Sequence, residues 1–87
     1  MTATAQAIKT ANLAANAAAD KLAENIIALD ITAVMPLTDI YVLASGRNER
    51  QVSAISDNIE EVMLENGFKL LHREGKELGR WILLDFG

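Results

Sequence analysis

The sequence predicts an α+β domain in which a mixed four-stranded sheet packs with two helices, in the order α-β-β-α-β-β. Two segments carry apolar residues at helical spacing, and four shorter segments alternate in the way that strands do. The sequence contains no internal repeat, and no linker separates these segments. Because 87 residues suffice for one domain and not for two, residues 1–87 are predicted to form a single domain.

The first helix is predicted to begin at a threonine cap, Thr2 or Thr4, and to run to about Glu24. Its segment is rich in alanine, the residue with the highest helix propensity. One narrow apolar stripe follows it, formed by Ile8, Ala11, Ala15, Ala18 and Leu22. Because most of the stripe is alanine, we expect this helix to pack closely but weakly.

The first two strands are predicted at Asn25–Ile31 and Asp39–Ser45, separated by a loop, Thr32–Leu37, that contains Pro36. One face of the first strand carries Ile27, Leu29 and Ile31. The two faces of the second strand carry Ile40, Val42 and Ala44 on one side, and Asp39, Tyr41, Leu43 and Ser45 on the other.

The second helix is predicted from about Glu49 to Asn66 and has the clearest boundaries. Asn48 is a favourable N-cap, Gln51 three residues later forms a variant of the capping box, and Gly67 supplies a left-handed stop. Its apolar stripe consists of Val52, Ile55, Ile59, Val62 and Met63. Its outer face is acidic, with Asp57, Glu60, Glu61 and Glu65.

The last two strands are predicted at Phe68–Arg73 and Arg80–Phe86, joined by a polar turn, Glu74–Gly79. The fourth strand is apolar on both faces, with Ile82, Leu84 and Phe86 on one and Trp81, Leu83 and Asp85 on the other. Two interpretations follow. Either the two helices cover both faces of the sheet, or part of an apolar patch remains exposed, which on small proteins usually marks a partner surface. The candidate patch residues are Tyr41, Leu43, Trp81 and Leu83.

The composition argues against several classes of function. A net charge of −4 argues against broad binding to phosphate backbones. We also expect no direct sequence-specific binding to nucleic acid. The absence of cysteine excludes a disulfide framework and fits a reducing cytoplasm. No apolar run approaches the length of a membrane span, and the first segment lacks the pattern of a signal or transit peptide. The single histidine, His72, has no catalytic companions in sequence and is interpreted as a surface or rim residue.

The turn from Ser45 through Gly46 into the second helix could seat a phosphate on free backbone N–H groups. No paired carboxylates follow it to hold a metal ion, so a tight structural turn is the favoured interpretation. Arg47 and Arg50 lie at the helix start, where cations are mildly unfavourable. We therefore predict an internal salt bridge to Asp39 or Glu74 in preference to an external anionic partner.

Several segments together resemble the ribosomal silencing factor (Iojap-like) family, over about Lys21 to Gly87. The most specific combination is the S-G-x-x-x-R-Q-V turn with the E-G…G-x-W-x-L-L-D-x-G ending. The matching residues are Asp30, Pro36-Leu37-Thr38-Asp39, Tyr41-Val42-Leu43-Ala44-Ser45-Gly46, Arg50-Gln51-Val52, Ala54-Ile55, Glu74-Gly75, Gly79 and Trp81-Ile82-Leu83-Leu84-Asp85-Phe86-Gly87.

The resemblance implies a nucleotidyltransferase-like core without catalytic carboxylates, and a cytoplasmic, non-enzymatic protein that needs no cofactor. It implies binding to large-subunit ribosomal protein fourteen, which would keep the small subunit away and repress translation under nutrient limitation, with homodimers when free. The strand-borne tryptophan of the family maps onto Trp81, and we extend the partner surface to Leu83 and Tyr41. Family members usually continue past the Asp-x-Gly ending with another strand, so the chain is expected to be a truncated or unusually short member.

Two alternatives from other classes stay open at this point. One is a nucleotide-binding or nucleotidyl-transferring enzyme that uses the Ser45-Gly46 turn. The other is a dimeric scaffold whose apolar sheet face serves only self-association.

Overall fold

The structure is a computed structural model that describes residues 4–34, 40–75 and 81–87. Its elements are α1 (Ala5–Asp20), β1 (Glu24–Asp30), β2 (Ile40–Ser45), α2 (Glu49–Glu65), β3 (His72–Glu74) and β4 (Leu83–Asp85). The predicted α+β class and the order of the elements are confirmed. The predictions for Pro36, for Asp39 and for most of the turn Glu74–Gly79 lie outside the described residues. The nucleotidyltransferase-like core stays a prediction.

Helix α1 begins at Thr4, one of the two predicted caps, whose hydroxyl accepts a hydrogen bond from the Ala7 amide at 3.1 Å. It ends at Asp20, earlier than the predicted Glu24, because a Schellman motif closes it. In this motif the Ala23 amide donates to the Ala18 carbonyl and the Leu22 amide donates to the Ala19 carbonyl. The early end moves Leu22 out of the predicted apolar stripe.

The core lies where α1 packs against α2, β1 and β2. Its buried side chains are mostly small, which lets the two helices approach closely: Ala11, Ala17, Ala18, Ile55, Ser56 and Met63. The Asn58 side chain of α2 donates to the Ala17 carbonyl at 2.8 Å and joins the helices directly. Ala11 and Ala18 confirm part of the predicted stripe, whereas Ile8 is 48% exposed.

The strands form two separate antiparallel pairs among the described residues, β1 with β2 and β3 with β4. The predicted single mixed four-stranded sheet is therefore wrong in this respect. Alternation of side chains shows which residues share a face, but it carries no information on which strands pair. Here each strand pairs with its neighbour along the chain, and β1 contains an irregularity between Glu24 and Ile27.

Strand β3 begins at His72 and not at the predicted Phe68. The end of α2 excludes Phe68 from the strand, because the Phe68 amide donates to the Met63 carbonyl at 2.9 Å and the Gly67 amide donates to the Leu64 carbonyl. Gly67 has a φ of 86°, so it supplies the predicted left-handed stop. Because its N–H closes the helix, Phe68 cannot also start a strand ladder with that group.

No helix in the described parts of the chain is both long and apolar enough to cross a membrane.

Candidate docking surface

The outer face of the β1–β2 pair carries a contiguous group of exposed apolar side chains. Ile27 lies directly opposite Leu43, and Leu29 lies opposite Tyr41, so the four residues share one face. They are between 43% and 50% exposed. We call this group, Ile27, Leu29, Tyr41 and Leu43, the strand patch. Such a group is the kind of surface that small proteins usually reserve for a partner.

The opposite side of the same strand pair faces the helices. Helix α1 packs against both strands, and Ile26, Ile40 and Val42 are half-buried. The sequence left open whether both faces of the sheet would be covered. In the structure one face is covered and the strand patch is exposed, as the second interpretation of the sequence predicted for Tyr41 and Leu43.

The β3–β4 pair presents a second apolar group. Trp81 is 61% exposed and Leu83 is 44% exposed. The alternate residues of the segment, Ile82, Leu84 and Phe86, are half-buried, which confirms the predicted alternation. Leu83 lies opposite Glu74 and Asp85 lies opposite His72. Leu83 thus has a polar neighbour, Glu74, on the facing strand, and interface anchors are typically bordered by such polar residues.

The structure brings the predicted partner residues together in two groups. Tyr41 and Leu43 lie on the β1–β2 pair, whereas Trp81 and Leu83 belong to the β3–β4 end of the chain. Sequence reasoning missed Ile27 and Leu29. Their spacing predicted that Ile27 and Leu29 share one face of β1. Only the antiparallel register shows that this face is the one that carries Tyr41 and Leu43 on β2.

His72 is the rim histidine that the sequence predicted. Its Nε2 atom lies 3.2 Å from a carboxylate oxygen of Glu74, and both side chains are more than half exposed. Among residues 4–34, 40–75 and 81–87, no group of three or more His, Asp or Glu side chains is placed to hold a metal ion.

The outer surface of α2 is acidic, as predicted. Asp57, Glu61 and Glu65 are exposed. Glu60 instead accepts a hydrogen bond from the Arg73 guanidinium at 2.7 Å, which ties β3 to α2. The molecule therefore combines exposed apolar strands with a helix surface of negative charge.

The Ser45-Gly46 turn is engaged with the chain's own side chains. The Arg47 amide donates to the Gln51 side-chain oxygen at 2.6 Å, and the Gln51 amide donates to the Asn48 side-chain oxygen at 2.8 Å. A methyl group at Gly46 would meet Val52 at 3.0 Å. These contacts are those of a tight strand-to-helix turn, with two of its amides already bonded internally.

Arg47 forms the predicted internal salt bridge, but with a different partner. Its Nε atom lies 3.0 Å from a Glu24 carboxylate oxygen. The predicted partner Glu74 pairs with His72 instead, because the two residues lie two apart on β3 and so share one face of that strand. The other predicted partner, Asp39, lies outside the described residues. Arg50 is exposed beside Asn48 and Glu49, where the three residues line an open depression.

Comparison with known proteins gives a consistent result. A family model described as "Ribosomal silencing factor during starvation" matches residues 4–87. Proteins named ribosomal silencing factor RsfS from Halalkalibacterium halodurans and Bacillus subtilis are each 37% identical over 75 residues, 86% of this chain and 64% of the relative. The namesake from Chromobacterium violaceum is 33% identical, over 86% of this chain and 62% of its own length. The chain thus spans less than two thirds of these relatives.

Solved structures show the same similarity. A crystal structure of a Chromobacterium violaceum protein superposes with a TM-score of 0.88 at 32% identity, covering 91% of this chain and 66% of that one. A crystal structure from Bacillus halodurans gives a TM-score of 0.85 at 35% identity, covering 91% of this chain and 73% of that one. With the family model matching almost the whole chain, the protein belongs to the ribosomal silencing factor (RsfS, Iojap-like) family.

Proposed function

We propose that this protein represses translation by docking on the large ribosomal subunit and occupying the surface that the small subunit needs. The observation that carries the proposal is the apolar strand surface left uncovered by the helices. Trp81, Leu83 and Tyr41 are the partner-binding residues that we assign, with Leu43, Ile27 and Leu29 beside Tyr41. Trp and Tyr are favoured interface anchors because they bury a large area at a low cost in side-chain entropy.

The partner that we propose is ribosomal protein fourteen of the large subunit. The names of the relatives connect the family to the ribosome and to silencing. This chain is acidic, with a net charge of −4 and exposed carboxylates along α2. Proteins that sit in rRNA are generally basic, so opposite charges would speed the encounter while the apolar side chains supply the affinity. Occupancy under nutrient limitation would then lower translation.

The proposed function includes no chemical step and no cofactor. At the Ser45-Gly46 turn, where a nucleotide would have to bind, side chains of the protein itself already hold two backbone amides. We also propose that the protein works in the cytoplasm, where ribosomes are, and that it forms homodimers when it is free. A second copy would cover the strand patch in the absence of a ribosome, since exposed apolar surface favours association.

Co-sedimentation with purified large subunits tests the proposed docking surface. We expect Trp81→Ala to weaken binding about tenfold, because loss of a central anchor commonly removes more than 1 kcal/mol. The free energy of unfolding should change by less than about 1 kcal/mol, since the side chain is mostly exposed. Leu64→Ala is the matched control, because Leu64 is an apolar residue, 67% exposed, that belongs to α2 and to neither strand pair.

Two results would contradict the proposal. One is equal binding by wild type, Trp81→Ala and a Tyr41→Thr variant. The other is a loss of about 3–5 kcal/mol of stability in Trp81→Ala, which is the cost of truncating an aromatic residue in a core.

A further inference from the structure

We propose that Gly75 is a positioning residue that holds the Trp81 indole in its exposed, binding-ready orientation. This inference rests on the proposed function, because it takes Trp81 to be a docking residue. Gly75 lies directly after β3, and Trp81 lies two residues before β4, so the two residues face each other at the end of the β3–β4 pair.

The contact between the two residues depends on the missing side chain of glycine. A methyl group at Gly75 would overlap the Trp81 carbonyl oxygen, and it would lie 3.1 Å from the ring atom Cε3 of Trp81 and 3.2 Å from its carbonyl carbon. The backbone and the benzo ring of Trp81 therefore both rest against the Gly75 main chain. The rest of the ring faces outward, since Trp81 is 61% exposed.

The backbone conformation at position 75 is a second reason why this residue must be glycine. Its φ is 82°, in the left-handed region that side chains disfavour. Any other residue at this position would be strained by the positive φ, and its Cβ would overlap Trp81. The overlap is with main-chain atoms, which cannot swing aside as the end of a flexible side chain can. A substitution at Gly75 must therefore move Trp81.

Holding an exposed indole in place favours binding. An interface side chain that is mobile in the free protein loses its rotational freedom when a partner immobilises it, and this loss weakens affinity. Contact with Gly75 along one edge fixes the indole before the partner arrives and leaves the remaining surface available. The arrangement is a preorganised anchor built from one aromatic residue and one glycine.

Gly67 provides a matched control for the test. Its φ of 86° is almost the same as that of Gly75, but no neighbouring atom lies within 4 Å of the position where a Cβ would stand. Gly67→Ala thus has the conformational strain without touching Trp81. Gly75→Ala has the conformational strain and also the overlap with Trp81. Gly75→Asn keeps the overlap but relieves part of the strain, because asparagine tolerates positive φ.

The experiment measures indole motion and ribosome binding in the wild-type chain and these three variants, at a temperature where far-ultraviolet circular dichroism shows all of them folded. Trp81 is the only tryptophan, so time-resolved fluorescence anisotropy reports its motion alone. In wild type we expect little rotation of the ring on the nanosecond timescale, together with ready quenching by acrylamide. Co-sedimentation with purified large subunits gives the dissociation constant.

We expect Gly75→Ala and Gly75→Asn to release fast motion of the indole and to weaken binding about tenfold, while Gly67→Ala leaves both within about twofold of wild type. The inference is overturned if the Gly75 and Gly67 variants show the same indole motion and the same affinity for large subunits. It is also overturned if the indole rotates freely in the wild-type chain, which can be measured even if no variant folds. Failure of the wild-type chain to bind large subunits would instead reject the proposed function, and the anisotropy comparison would still decide the role of Gly75 in holding the ring.

Discussion

Leu22 is in a backbone conformation that leucine rarely adopts. Its φ is 61°, at the position of the Schellman motif where glycine is the usual residue, and its side chain is 77% exposed. The left-handed conformation costs a side-chain-bearing residue about 1 kcal/mol relative to glycine. No burial offsets this cost, so the free energy of unfolding is lowered by the presence of leucine.

We expect Leu22→Gly to raise the free energy of unfolding by about 0.5–1 kcal/mol, because glycine adopts positive φ without strain. Urea denaturation followed by circular dichroism measures the change. The same substitution at Leu64, another exposed leucine but inside α2, should lower stability by about 1 kcal/mol, since glycine is a poor helix former. A destabilised Leu22→Gly variant would show that the side chain makes a contact worth more than the strain.

Ser56 is a polar residue that is buried in the core. It is 4% exposed on α2, and its hydroxyl has no hydrogen-bond partner among the described residues. An unsatisfied buried hydroxyl costs about 1–3 kcal/mol, so Ser56→Ala should raise the thermal midpoint and the free energy of unfolding. Ser53→Ala on the half-buried part of the same helix measures the gain from helix propensity alone. Equal gains at the two positions would contradict the assignment of an unsatisfied hydroxyl.

At the scale of single residues, the sequence predicts what local chemistry determines. The cap residues Thr4 and Asn48, the stop at Gly67 and the alternation around Trp81 were all predicted from side-chain type and spacing. Leu22 could not be predicted as a helix end, because its residue type favours the helix interior. Only the surrounding fold makes the chain turn there.

The Gln51 side chain joins the start of α2 to the end of α1. Its side-chain oxygen accepts from the Arg47 amide before α2, and its Nε2 atom donates to the carbonyls of Lys21 and Leu22 after α1, at 3.1 and 3.0 Å. The start of α2 is thereby tied to the end of α1. The capping-box pattern predicted that the Gln51 side chain would accept a hydrogen bond from a backbone amide at the start of α2. It could not predict the bonds to the end of α1, because these depend on tertiary structure.

We expect Gln51→Ala to lower the free energy of unfolding by about 1–2 kcal/mol, because it removes a helix cap and leaves two turn carbonyls without this donor. Arg50→Ala, one residue away on the exposed side of the same turn, should change stability by less than about 0.5 kcal/mol. Chemical denaturation of both variants gives the comparison. Similar values for the two would mean that Gln51 does not join the helices in solution.

At the scale of elements, helices were easier to predict than strand pairing. Helix α2 has nearly the predicted boundaries because its cap, apolar stripe and glycine stop agree with one another. The strands have the predicted order, but their pairing depends on contacts between distant parts of the chain. The end of α2 uses the Phe68 amide and so removes Phe68 from the predicted strand, a competition that is not visible in the alternation of residues.

At the scale of the whole molecule, the distribution of apolar residues connects fold to function. A chain that is 51% hydrophobic encloses a core made largely of alanine, and it leaves larger side chains such as Trp81, Leu43 and Ile27 exposed. The sequence predicted half of the strand patch, Tyr41 and Leu43. The other half, Ile27 and Leu29, required the register of β1 against β2, which only the folded structure supplies.

If the protein acts by occupying space on the large subunit, it should directly prevent the joining of the two ribosomal subunits. Purified large and small subunits are mixed at a magnesium concentration that favours joining, with and without a saturating amount of the protein, and are separated on a sucrose gradient. A Tyr41→Thr, Leu43→Thr double variant serves as the control, because threonine favours strands while the two substitutions remove the share of β2 in the strand patch. We expect wild type to leave large subunits free and carrying the protein, and the double variant to permit joining. Normal joining of subunits that carry bound wild-type protein would contradict the claim.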